Sequence, residues 1–225
     1  IGPWSCAITP GAPGIPLPEL HDALAALRTT NPAQWTEIVT HIVVSLLDAL
    51  DAAHRTTTAP DHPKGIVHGG VRPELALVAP DGAVRLTGFG VRVEDDASRI
   101  VDRSADTLAY VAPEQLGSRA RTSAMDLWSV GAVLHELVDG RRFRGDVADA
   151  RELYRIALTG AVAAPQHAAP AALEQARAAL VAKNPRDRPR TAADAVALLS
   201  KGSAAAIARL GELVRARMPD DAPPP

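Results

Sequence analysis

The stretch Gly65-Ile66-Val67-His68-Gly69-Gly70-Val71-Arg72-Pro73-Glu74-Leu75 decides how this chain is read. It sets a histidine, His68, a basic side chain, Arg72, and a proline, Pro73, at fixed spacing. Positions 70 and 75 hold glycine and leucine, side chains that can neither bind a hard cation nor accept a proton.

Upstream, Asn31-Pro32-Ala33-Gln34 gives a helix start, with Asn as cap, Pro at the first helical position and Gln at the third. Trp35, Ile38, Val39, Ile42, Val43, Leu46, Leu47 and Leu50 follow at i, i+3, i+4, i+7 spacing, predicting an amphipathic helix to about Arg55. A shorter helix is expected over Leu17 to Leu27, and a short strand over Trp4 to Thr9 within a Gly/Pro-rich start. Downstream, Leu75 to Val78 and Val84 to Thr87 flank Ala79-Pro80-Asp81-Gly82, a strand–turn–strand signal. From Ser123 onward the chain reads as successive helices. These are Ser123 to Asp139, closed by Gly140, and Val147 to Thr159, closed by Gly160. A third opens at Pro170 and ends near Lys183, a fourth opens at Thr191 and ends before Gly202, and the last covers Ser203 to Met218.

Composition narrows the classes. The formal charge of −2 gives no electrostatic case for nucleic acid or an anionic membrane. Cys6 is the lone cysteine, so neither a disulfide framework nor a cysteine metal cluster can be built, and a reducing, cytoplasmic compartment fits. No apolar run approaches the length of a membrane span. The chain opens on Ile1 rather than Met, as expected of an excised fragment.

The segment 65–75 resembles the catalytic loop of serine/threonine protein kinases, H-R-D-x-K-P-x-N, and further resemblances follow in the order that fold requires. Gly88-Phe89-Gly90 stands where the family has D-F-G. Thr107 to Gln115 carries an intact Ala112-Pro113-Glu114 and is similar to the end of an activation segment. Asp126-Leu127-Trp128-Ser129-Val130-Gly131 matches the central D-x-W-S-x-G helix, and Asn184 to Pro189 resembles the late N-P-x-x-R-P motif. Each match alone is weak; ordered together they are strong. The fold implied is mainly α, the C-terminal lobe of a protein kinase: a helical bundle with a small β-hairpin. Residues 1–16 are expected as a hinge-like strand and linker, 17–202 as the lobe, 203–218 as an additional helix and 219–225 as a tail or linker. The Gly-rich phosphate loop, the strand lysine and its glutamate partner are not found in the sequence.

The resemblance also says what is lost. The family base position is Gly70, and the two magnesium-ligand positions are Leu75 and Gly88. Asp81, Glu94, Asp95 and Asp96 are the nearby acids that a rescue would need. Arg72 keeps a positive charge where the family lysine meets the transferred phosphate; an anion contact and a surface salt bridge both fit. Gly69 replaces the arginine that pairs with a phosphorylated activation segment, so Ser98, Ser104 or Thr107 would not order the segment by that route. Glu114 and Arg188 stand where relatives form a buried ion pair, Asp126 where they brace the loop backbone, and His68 as a structural histidine beneath it. Ser123-x-x-Asp126 also reads as a capping box.

Rival sites fail. His54, His62 and His68 lack zinc spacing, and no metal site is expected. Val93 spoils a dinucleotide fingerprint at Gly88, and Leu127 a nucleophile elbow at Ser129. Three readings stand: a catalytically inactive module that binds a protein partner, such as an active kinase; a divergent kinase or other nucleotide-dependent transferase; and an ATP-binding switch without turnover. The first requires no cofactor, whereas ATP and magnesium belong to the second.

Overall fold

The computed structural model describes residues 13–56, 65–89, 105–117 and 121–218. The strand expected over Trp4 to Thr9, Gly90, Glu94 to Asp96, Ser98, Ser104 and the tail 219–225 lie outside the described residues.

Local chemistry fixes the long helices. Helix α1 (His21–Thr30) follows a 3-10 turn over Leu17–Leu20, so the expected single helix is two elements, running three residues further than its pattern suggests. Asn31 then separates α1 from α2 (Pro32–Arg55), its side chain accepting the Gln34 amide at 3.2 Å as a cap. The apolar stripe of α2, from Trp35 to Leu50, is buried along its whole length. Each such side chain contributes roughly 1.5–3 kcal/mol.

The expected hairpin is part of a three-stranded antiparallel sheet in the order β1 (Ile15–Pro16), β2 (Ala76–Val78), β3 (Val84–Leu86). Ile15 pairs with Val78, and Val78 with Val84. A two-residue strand carries no alternation to read, so β1 was invisible to a period argument.

Two short helices, α3 (Ala105–Ala109) and α4 (Pro113–Gly117), precede α5 (Ser123–Asp139). Helix α5 is the axis of the fold: every residue from Met125 to Asp139 is buried. It is followed by α6 (Ala150–Thr159), α7 (Ala171–Leu180), α8 (Ala192–Val196) and α9 (Ala204–Arg215). Helix α9 ends at Arg215 rather than Met218, and three other boundaries also differ from the sequence expectation. Asp149 caps α6 by accepting the Glu152 amide at 2.8 Å, which starts that helix at 150 rather than 147. Helix α7 stops before Lys183 because the Arg188 guanidinium takes the Ala182 and Lys183 carbonyls at 2.8 and 3.3 Å. Helix α8 tightens into i→i+3 bonds at Leu198 and Leu199 and goes no further.

Helix α9 packs into the same core, burying Ala206, Leu210, Leu213 and Val214. It lies against α2 and crosses the β2–β3 turn at two glycines. A Cβ at Gly211 would stand 2.5 Å from the Pro80 carbonyl oxygen, and one at Gly82 would run into the Ile207 carbonyl. Arg215 donates to the Pro80 carbonyl, and Ser203 Oγ donates to Glu37. No helix among the described residues is long and apolar enough to cross a membrane.

Candidate functional site

The loop 65–75 hangs between the end of α2 and the start of β2. Ile66 N–H donates to the Ala53 carbonyl at 2.9 Å, which fixes where the chain leaves α2. From α5, the fully buried Asp126 carboxylate then takes three donors. Oδ2 accepts the His68 amide at 2.9 Å and His54 Nε2 at 2.8 Å, and Oδ1 accepts the Gly69 amide at 2.7 Å. Charge-assisted bonds of this length are the stronger kind. Because Asp126 is committed to the loop, the expected capping box does not form; Thr122 occupies the cap position without a side-chain bond. His54, at the C-terminal end of α2, is a member of this cluster that zinc-spacing arguments passed over.

His68 is buried beneath the loop. Its Nε2 lies 2.8 Å from the Thr87 carbonyl, which can only accept, so the proton sits on Nε2. The ring meets Phe89 edge to face, with centroids 4.7 Å apart. Thr87 also ties the loop to the sheet: its amide and its hydroxyl both donate to the Leu75 carbonyl, at 2.8 and 3.0 Å.

That double bond to one carbonyl sets Leu75 beside Gly88, the two positions where the resembled family holds its metal ligands. Gly88 has φ +83°, and a Cβ there would lie 3.0 Å from Leu75 Cδ1 and 3.3 Å from Cδ2. The isobutyl group fills the space a side chain at 88 would need. Magnesium requires near-octahedral oxygen ligation. Two apolar positions packed on each other do not fit it. Among the described residues no cluster of His, Cys, Asp and Glu is arranged to hold a metal ion. Asp81 offers no rescue: its Oδ1 accepts the Ala83 amide at 2.9 Å within the turn.

Gly70, where the resembled family holds its base, brings no side chain. Its carbonyl accepts from Arg72 Nη1 at 3.4 Å, and Arg72 Nε lies 3.6 Å from Glu74 Oε2. Both partners are partly exposed, so the pair contributes on the order of 0–1 kcal/mol and leaves Arg72 available to an anion.

Around the loop the architectural positions come together. Arg188 and Glu114 form a bidentate pair, Nη1–Oε1 at 2.6 Å and Nη2–Oε2 at 2.9 Å. The Arg188 side chain is fully buried, also donates to the Ala124 carbonyl at 2.8 Å, and lies 5.0 Å from the centroid of the Trp128 ring. Gln115, next in chain, donates Nε2–H to the Gly69 carbonyl at 2.8 Å. Over Gly69, whose φ is +72°, stands Arg121, 3.1 Å from where a Cβ would project. Deeper, the buried Glu136 carboxylate accepts Tyr110 O–H at 2.5 Å and Phe143 N–H at 2.8 Å, and lies 3.0 Å from His21 Nε2. Burial and the adjacent Glu136 charge push the Tyr110 hydroxyl well above its ordinary range, so it keeps its proton and donates it to Glu136.

Compared with known sequences, residues 19–197 match the family described as the protein kinase domain. Serine/threonine-protein kinase PknA of Mycobacterium tuberculosis (strain ATCC 25618 / H37Rv) is 37% identical over 110 residues, covering 47% of this chain and 26% of that protein. Serine/threonine-protein kinase PknL of the same strain is 33% identical over 166 residues, 70% of this chain and 39% of its own length. The chain therefore spans well under half the length of either curated relative.

Proposed function

This chain belongs to the protein kinase family, and from that premise we propose that it is a catalytically inactive member, a pseudokinase module that works by binding a protein partner such as an active kinase. One observation carries the reading: Leu75 packed on Gly88, which puts hydrocarbon where two magnesium ligands would converge. Gly70 adds to it by removing a base typically worth on the order of 10²–10⁴ in rate. Losses confined to the reacting positions, with the Asp126 brace and the Arg188–Glu114 pair in place, leave a scaffold fit for recognition rather than transfer. The same proposal takes 17–202 as a C-terminal lobe, requires no cofactor, and puts the module in the cytoplasm on the strength of the lone Cys6.

The test is transfer of labelled phosphate from ATP, to the protein itself or to a generic substrate, with magnesium and with manganese. The expected result is none. Transfer that disappears in Arg72→Ala would overturn the proposal. Thermal denaturation is the companion measurement. Ligand at 100 times Kd stabilises by about 2.7 kcal/mol, so the absence of a shift at millimolar nucleotide speaks against useful binding. A second reading, a nucleotide-sensing switch without turnover, is favoured by the weak pairing of Arg72 alone. It requires nucleotide to change partner affinity.

A further inference from the structure

At the far end of α5 from the His68 loop, a cavity of about 840 Å³ opens between the end of α5, the loop that follows it and α6. Asp126 and Asp139 mark the two ends of that helix, about 20 Å apart at 1.5 Å per residue. The cavity volume is that of a ligand pocket. Its walls are apolar where Phe143, Val147, Ile156 and Val162 meet, and its other residues include three arginines, 141, 142 and 144, against two aspartates.

The charges are arranged unequally. The Asp139 carboxylate is spent internally, accepting the Gln166 amide at 2.5 Å and Arg141 Nη2 at 3.2 Å. The same bond engages Arg141, whose side chain is 60% exposed, and Arg142 and Asp146, which also line the cavity, are exposed. Arg144 is held with a left-handed φ of 54°, a strained setting for a residue with a side chain. Its guanidinium donates to the Ala109 and Ala161 carbonyls at 3.2 and 3.1 Å and sits 4.9 Å from the centroid of the Phe143 ring. Burial lowers its pKa to about 10, so it is charged at neutral pH, and no carboxylate among the described residues pairs with it. Elsewhere on the described surface, Leu158 is the one large apolar side chain that is exposed. A convex apolar platform is therefore not on offer, and this concave site is.

We infer that this cavity is the docking surface for a partner protein, received as a segment that presents an apolar side chain next to Asp or Glu. The apolar walls take the side chain and the cationic mouth takes the carboxylate, which sets orientation and rejects basic segments. The inference rests on the reading of the chain as a protein-binding module. It places the partner away from the degenerate loop but against α6, which packs on α3 and α4.

The test pans a random peptide library displayed on phage against the purified protein and two variants. Ala163→Trp fills the cavity from an exposed wall position, and Arg141→Gln removes charge at its mouth. The expected outcome is enrichment of peptides that pair one large apolar residue with a nearby acid. Their affinity should fall about ten-fold or more on Ala163→Trp, a change of roughly 1.4 kcal/mol, by a smaller factor on Arg141→Gln, and with added salt. Circular dichroism melting establishes that the variants are folded, and if one is not, the other decides. Enriched peptides that bind the variants unchanged, a consensus without acids, or no enrichment over a bare surface would each overturn the docking site. Phosphate transfer is measured on the same preparation. Turnover there defeats the non-catalytic reading, whereas a failed selection without turnover defeats only this surface.

Discussion

Leu75 lies directly over Gly88, its two methyl groups 3.0 and 3.3 Å from where a side chain on residue 88 would begin. The two positions where the resembled family holds its metal ligands are complementary in another sense, one bulky and apolar, the other reduced to backbone. Their proximity follows from Thr87, whose amide and hydroxyl both close on the Leu75 carbonyl.

Restoring an acid at position 88 is therefore expected to be costly. Gly88→Asp must adopt φ near +83° and displace Leu75, penalties of about 1–2 and 1–3 kcal/mol. In a Leu75→Ala background only the first penalty should remain. Urea unfolding of the two single variants and the double variant reads this as a coupling of about 1–3 kcal/mol. Additive costs would contradict the packing described.

Among the described residues, Asp126 is the carboxylate that holds the loop to α5. Asp126→Ala leaves the buried His68 and Gly69 amides without acceptors, at roughly 1–3 kcal/mol each. Hydrogen exchange should accelerate at these two amides before global unfolding does. His54→Gln, which removes a single donor to the same carboxylate, is expected to have a smaller effect.

The Arg188–Glu114 pair is predicted to be asymmetric. Glu114→Ala strands a fully buried guanidinium and should cost about 3–5 kcal/mol. Arg188→Lys should cost nearly as much, because an ammonium cannot serve two carboxylate oxygens and the Ala124 carbonyl in one plane. Chemical denaturation of both variants tests the claim; a freely tolerated lysine would refute it.

His135 supplies a pH dependence. Burial first, and then the Arg177 charge 3.3 Å away, hold its pKa below the ordinary 6.5, with Asp139, Glu174 and Glu136 opposing. The unfolded chain thus binds the proton more readily than the native one. The stability that depends on neutral His135 is whole above pH 6.5 and is lost as pH falls from there through the lowered native value. Melting temperature should drop between pH 7.5 and 5.5 in the parent and drop less in His135→Gln. Parallel slopes in the two proteins would count against it.

Much of this architecture is written locally. The Asn31 cap, the stripe of α2 and the glycines that close α5 and α6 in left-handed geometry at Gly140 and Gly160 are short-range signals, and they lie where the sequence puts them. Helices α3 and α4 are five residues each, too short for a period, and exist because they pack on α6. The end of α7 is set by Arg188, a residue eight positions beyond it, which no local pattern encodes. At the site, positions 70, 75 and 88 stood out only through the family resemblance of the motifs around them. The contacts that give them meaning were not legible: Leu75 filling the space at Gly88, His54 joining Asp126 and Arg121 standing over Gly69 are meetings through space.

The seat of α9 has a mechanical consequence. Residues matching the protein kinase domain end at 197, yet Leu210 and Val214 sit in the common core and Gly211 rides on the backbone of the β2–β3 turn. Arg215 ties the end of α9 to the Pro80 carbonyl, in the turn that leads into β3. Helix α9 is thus a clasp from outside the family's boundary, fastened to the turn whose second strand leads on to Thr87 and Gly88.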